Sequence, residues 1–198
     1  MSDLPQPVTA RGEATRQRLL DAAEAEFGTR GFSKASVSSI TKRAEVGQGT
    51  FYLYFPSKES VLRELVRRMG RELRRALSEA TAGLETRLEV ERAGLVAFSR
   101  FSLEHGNLYR VVMESQFVDG AIYREYYETL LAAYKTGLEQ AQADGQIRSG
   151  EAEAQAWALM GISHFLGLRY AIWQGCEPPE RTIEATFDFI RRGLEVEA

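Results

Sequence analysis

Proline placement constrains this chain more than any other feature. The five prolines stand at positions 5, 7, 56, 178 and 179. Proline removes a backbone donor and clashes with the preceding turn, so helix interiors exclude it. Pro5, Pro7 and Pro56 fall outside the helical pattern, and Pro178-Pro179 fall where a last helix starts, a position that tolerates proline. Between them, apolar residues recur at three- and four-residue spacing. There is no sustained alternation of the strand type, no Asn-Gly hairpin signal and no internal repeat. The expectation is an all-α chain of about nine helices.

The spacing predicts a first helix over 14–29, with Leu20, Ala23 and Phe27 on one face. Gly28 and Gly31 end it, and Phe32 folds back onto the core. Ser36 caps a second helix carrying Val37, Ile40 and Ala44. Glu45-Val46-Gly47 breaks the pattern, with Gly47 expected to supply the freedom of a tight turn. A very short helix follows from Gln48 to Tyr54 and stops at Pro56. Ser57 caps a long fourth helix whose apolar face runs from Val61 to Leu73. Further helices are expected near 84–104, 107–117, 119–144, 152–174 and 179–194, separated by glycine-containing breaks.

Composition narrows the class. Hydrophobic residues make up 44% and charged residues 27% of 198, which suits a soluble globular protein. No apolar run approaches the roughly 20 residues of a membrane span, so no membrane partner is expected. Residues 1–10 lack the apolar stretch of a secretory signal and read as a disordered tail. The single cysteine, Cys176, cannot form an internal disulfide or a zinc site. A reducing cytoplasm is therefore the expected compartment, with no metal and no cofactor. The net charge of −3 hides a balance of +5 over residues 1–75 and −8 over the rest. A basic first third on an acidic body fits a small DNA-binding module, because only local charge is needed to neutralise phosphates. Chance clustering on solvated helix faces gives the same numbers.

Residues 36–55 hold two short helices and a tight turn, the pattern of a helix-turn-helix. Ala44 and Gly47 are small where the helices must meet, and Val37, Ile40, Val46, Phe51 and Phe55 supply an apolar interior. Gln48, Gly49, Thr50, Tyr52, Leu53 and Tyr54 remain to face a major groove. Gln48 can pair with an adenine edge, and Leu53 can touch a thymine methyl. Gly49 permits close approach, while Thr50, Tyr52 and Tyr54 offer hydroxyls to phosphates. Lys58 can pair with a phosphate at the next helix start, and Ser36 and Thr41 flank the groove's other edge. The plain alternative makes Tyr52 and Tyr54 core aromatics, but residues at i and i+2 do not share one helix face.

Three stretches carry a resemblance. They are Phe27-Gly28-Thr29-Arg30-Gly31-Phe32, the run from Ser38 to Gly47, and the run from Gly49 to Glu59. In order and spacing they resemble the DNA-binding domain of the TetR family of bacterial repressors, over about the first third of the chain. Phe51 stands where leucine is commoner and Gln48 where lysine is common, so the operator is not copied from relatives. The resemblance implies a helix-turn-helix DNA-binding domain over 11–60, with the motif at 36–55. It also implies a ligand-binding and dimerisation domain over 61–198. A homodimer would place two recognition helices in successive major grooves of a palindrome, about 34–36 Å apart. A ligand would tilt the fourth helix and weaken operator affinity.

For the sensing domain, the candidate lining is Phe98, Phe101, Tyr109, Arg110, Met113, Phe117, Tyr127, Trp157, Met160 and His164. Most of these also read as plain core. Arg110 and Glu114 form an i, i+4 set whose plain reading is an ion pair, and His164 reads equally as a core histidine. The last two helices are expected to form the dimer interface, with Ala154, Ala158, Gly161 and Gly167 as close-approach points. Phe187, Ile190 and Leu194 form the apolar stripe of the final helix. Together these point to a ligand-released transcriptional repressor. The rivals are an activator, a constitutive DNA-binding protein and, remotely, a helical enzyme. With two histidines and no phosphate loop or ligand cluster, nothing in the sequence points to catalysis.

Overall fold

The computed structural model describes residues 9–196. The tail expected over 1–10 lies outside them except for Thr9 and Ala10. Thr9 accepts the Gly12 N–H at 3.1 Å and so caps a first helix that begins four residues earlier than its apolar pattern.

The described residues form nine α-helices: α1 Ala10–Arg30, α2 Val37–Arg43, α3 Gln48–Tyr54, α4 Lys58–Thr81, α5 Arg87–Glu104, α6 Gly106–Val118, α7 Gly120–Ala143, α8 Ala152–Gly167 and α9 Glu180–Leu194. The all-α expectation holds. Another boundary also moved for a local reason. α5 starts at Arg87 because Thr86 and Glu89 form a reciprocal capping box. A second expected helix, over 152–174, is broken. Its α-helical part ends at Gly167, residues Leu168–Gln174 wind as a π-helix, and Gly175 closes it in the left-handed region with φ 64°.

The helices sort into two compact units. The first contains residues 9–69 and 107–126, so α6 and the start of α7 belong with the N-terminal helices. Its interior is built from Leu19, Ala23 and Phe27 of α1, Ile40 of α2, Phe51 of α3, Phe55, and Val61, Leu62 and Leu65 of α4. Each fully buried side chain of this size contributes about 1.5–3 kcal/mol. Val37 and Val46, expected in the interior, are half-buried. α6 joins by close approach: a Cβ on Gly28 would lie 2.5 Å from the Asn107 side chain.

The second unit contains residues 70–106 and 127–196. Here α5 packs against α8, the π-helical segment and α9. Gly167 permits this, since a Cβ there would sit 3.0 Å from Phe98 and 3.1 Å from Ser102 Oγ. A buried polar set joins α5 to α7. Arg87 Nε donates to Glu91 Oε1 at 2.7 Å, and the Tyr134 hydroxyl donates to Glu91 Oε2. Burial, reinforced by the Glu91 charge, pushes the Tyr134 hydroxyl well above its ordinary pKa. Of the final-helix stripe, Ile190 and Leu194 are buried in this unit's core with Ile183, Leu95, Leu138 and Leu159, while Phe187 is half-buried. The apolar residues that α9 leaves exposed are Ala185 and Phe189.

Candidate nucleic-acid interface

The reading head is set up by its caps. Ser36 Oγ accepts the Ser39 N–H at 3.0 Å and Ser39 Oγ accepts the Ser36 N–H at 3.1 Å, so α2 begins at a fixed point. Ala44 is buried where α2 ends. The tight turn does not take its freedom from Gly47, which has φ −73° and serves as the N-cap of α3. The left-handed residue is Glu45, with φ 55°. A side chain on Gly47 or Gly49 would meet nothing within 4 Å. Both glycines therefore lie on open surface and neither mediates a helix–helix contact.

α3 is anchored by one residue. Phe51 is fully buried, edge-on to Tyr52 at 5.3 Å and tilted against Phe55 at 5.9 Å. With Phe51 turned inward, Gln48, Gly49, Tyr52 and Leu53 are exposed, and Thr50 and Tyr54 are half-buried. Leu53 keeps 69% of its surface open, an unusual exposure for leucine. Ser36 is exposed at the start of α2.

Two expected groove contacts sit elsewhere. Thr41 is only 3% exposed, and its hydroxyl donates to the Ser38 carbonyl at 3.2 Å. Lys58 turns inward: Nζ donates to the carbonyls of Phe32 at 2.6 Å and Ala35 at 2.8 Å, and lies 4.1 Å from the Phe32 ring centroid. Those carbonyls close the α1–α2 loop, so the lysine clamps the head's own backbone. Ser57 caps α4 as expected, accepting the Ser60 N–H at 3.2 Å. Two cations near α2 remain outward, Lys34 in the loop before it and Lys42 in its last turn; among the described residues neither has an ion-pair partner. Neither stood out from the sequence pattern. The available signal was their position just before α2 and in its last turn, within the basic first third. Arg43 is tied back to Glu26 of α1 at 2.9 Å.

The sensing candidates divide between the units. Tyr109, Arg110, Met113 and Phe117 belong to the first. Tyr109 is buried, and burial pushes its hydroxyl well above the ordinary pKa. Met113 is half-buried and Arg110 exposed, while Phe117 is 84% exposed. Arg110 and Glu114 do not form the expected pair; Glu114 instead accepts the Phe32 N–H at 2.8 Å. Phe98, Phe101, Tyr127, Trp157, Met160 and His164 belong to the second unit. There the Tyr127 ring lies 6.2 Å from Trp157 and 6.4 Å from His164, linking α7 to α8. Burial lowers the His164 pKa below its ordinary value, favouring the neutral ring. Phe101 is buried and stacks on His105 at 4.2 Å, Phe98 and Met160 are half-buried, and Trp157 is partly open.

The family model described as "Bacterial regulatory proteins, tetR family" matches residues 19–65, which spans α1 through the first turns of α4. The fatty acid metabolism regulator protein of Bacillus subtilis (strain 168) is 31% identical over 137 residues, covering 68% of this chain and 69% of that protein. The chain belongs to the tetR family. It is a DNA-binding transcriptional regulator. The HTH-type transcriptional regulator YdgC of the same organism is 51% identical over 57 residues, 29% of either chain. The tetR-type fold extends beyond the head. The structure of the transcriptional regulator FadR from Bacillus subtilis in complex with stearoyl-CoA superposes with a TM-score of 0.77 at 20% identity. That match covers 88% of this chain and 96% of that one. No helix among the described residues is long and apolar enough to cross a membrane.

Proposed function

We propose that this tetR-family chain is a cytoplasmic repressor that binds a palindromic operator as a homodimer and leaves it when a small lipophilic ligand binds. The observation that carries the DNA half is the face of α3. A buried Phe51 holds the helix, and Gln48, Tyr52 and Leu53 stand open around it. Gln48 reads an adenine edge and Leu53 a thymine methyl. Thr50, Tyr52, Tyr54 and Ser36 fix register on phosphates, with Gly47 and Gly49 leaving room for the backbone. Lys34 and Lys42 take the phosphate role for which Lys58 is not free.

Residues 11–60 do the reading, and residues 61–198 do the sensing and pairing. Pairing is supported by open apolar surface on the last two helices: Trp157 and Phe165 on α8 and Phe189 on α9. Single exposed aromatics are ordinary, but this many on two helices fit a buried partner face. The lipophilic class of ligand is supported by the aromatic group Tyr127, Trp157 and His164, whose imidazole pKa is lowered by burial. It is also supported by the relative named for fatty acid metabolism and by the fold neighbour bound to stearoyl-CoA. A long-chain acyl thioester is therefore the first probe. Nothing in this function requires an enzymatic step.

The test is a gel-shift titration against a pool of random duplexes at moderate salt, with and without stearoyl-CoA. Enrichment of a palindrome, released by the thioester, is expected. No enriched sequence overturns the repressor reading. An enriched sequence that the thioester leaves bound overturns the proposed ligand class.

A further inference from the structure

Phe32 is held from three sides. Its N–H donates to Glu114 Oε2 at 2.8 Å. Its carbonyl accepts from Lys58 Nζ at 2.6 Å, and its ring lies beneath the same ammonium and 5.2 Å from Phe27. Charged partners on both backbone groups make these the stronger kind of hydrogen bond. Lys58 also holds the Ala35 carbonyl, and the next residue, Ser36, caps α2. The line from Glu114 to the start of α2 is thus unbroken: carboxylate, Phe32, ammonium, Ala35, cap.

Glu114 is placed there at the expense of a local pairing. Arg110 lies one turn away on α6, where an i, i+4 pair contributes about 0.2–0.5 kcal/mol. The carboxylate reaches instead to a loop 82 residues away in sequence. Gly31 leaves the path open: with φ 80° it ends α1, and a Cβ there would sit 3.2 Å from Glu114 Oε1. α6 lies outside the N-terminal head in sequence, yet it packs within the same compact unit. α6 therefore has a direct polar route to the start of α2 through Glu114, Phe32 and Lys58.

We infer that Glu114 is a positioning residue: its carboxylate, held on the Phe32 N–H opposite Lys58, sets the angle at which α2 and α3 are presented. This rests on the DNA-binding reading above.

The test compares the full-length parent with Glu114→Ala, Glu114→Gln and, as a control, Arg110→Ala. Amide hydrogen exchange is read across the chain, and affinity is measured for an enriched palindrome. In Glu114→Ala, exchange at Phe32 should rise at least tenfold and spread through α2 and α3, with α5 and α8 unchanged. Palindrome affinity should fall about tenfold at an unchanged salt slope, because no phosphate contact is lost. Glu114→Gln should restore most of both, since its amide oxygen still accepts the N–H. Arg110→Ala should resemble the parent. Parent-like protection at Phe32, protection lost equally in α5 and α8, or unchanged palindrome affinity would each overturn the inference. If the parent enriches no sequence, the DNA-binding reading falls. The exchange pattern in α2 and α3 then still decides whether Glu114 holds the head.

Discussion

Arg43 Nε donates to Glu26 Oε1 at 2.9 Å, tying the end of α2 to the C-terminal part of α1. Glu26 is buried, and Arg30 lies 3.5 Å from its second oxygen. Burial alone raises the carboxyl pKa, but hydrogen bonds from Arg43 and Ser39 and the charges of Arg30 and Arg43 outweigh it. The net position is below the ordinary 4.5. A carboxyl held low in the folded chain contributes stability that is present above 4.5 and lost as pH falls through the lower folded value. Glu26→Gln should therefore destabilise the protein at neutral pH by about 1–3 kcal/mol and flatten part of its acid-induced loss. Thermal unfolding across acid pH checks this; parallel curves for parent and variant would refute it.

Lys58 bears on how phosphates are held. Its ammonium is engaged by the Phe32 and Ala35 carbonyls. Lys58→Ala should lower operator affinity while leaving the salt slope unchanged, whereas Lys42→Ala, which removes one phosphate contact per subunit of the dimer, should reduce the slope by about 2. A slope change of that size in Lys58→Ala would return this lysine to the phosphate backbone.

Gly28 offers a prediction whose sign depends on a neighbour. Alanine is better than glycine in a helix by about 1 kcal/mol. At Gly28, however, the added Cβ would lie 2.5 Å from Asn107 Cβ. Gly28→Ala should cost about 1–3 kcal/mol in the parent and become stabilising in an Asn107→Gly background. A urea-denaturation double-mutant cycle reads this coupling. Additive effects would mean that α1 and α6 do not meet there.

The pairing surface predicts a change of mass. Phe165 and Phe189 are 68% and 72% exposed, so replacing them disturbs no core within the chain. Phe165→Glu with Phe189→Glu should convert a dimer to a folded monomer in sedimentation analysis. An unchanged dimer would move the interface elsewhere.

The reading head was legible because its signals are local. Ser36, Gly47 and Pro56 mark the limits of α2 and α3, and these helices start and stop where the spacing put them. The misplaced details are tertiary. Lys58 and Thr41 sit at positions that suit DNA contact, but their partners are backbone carbonyls. Glu114 has an i, i+4 partner in sequence and a loop 82 residues away in space. The stripe of Ile190 and Leu194 shows that α9 has an apolar face, but periodicity does not say whether its own chain or a second copy covers it. The change to π-helix at Leu168 carries no composition signal, since Gly167 marks close packing against α5 as readily as a break.

The central claim is that the open face of α3 reads DNA sequence. Binding-site selection with the parent and Gln48→Ala, sequenced side by side, tests it most directly. The parent should enrich a palindrome with half-sites about 34–36 Å apart, and Gln48→Ala should lose base preference at one symmetric pair of positions while keeping the rest. Identical enriched sites from the two proteins, or none from the parent, would contradict the account.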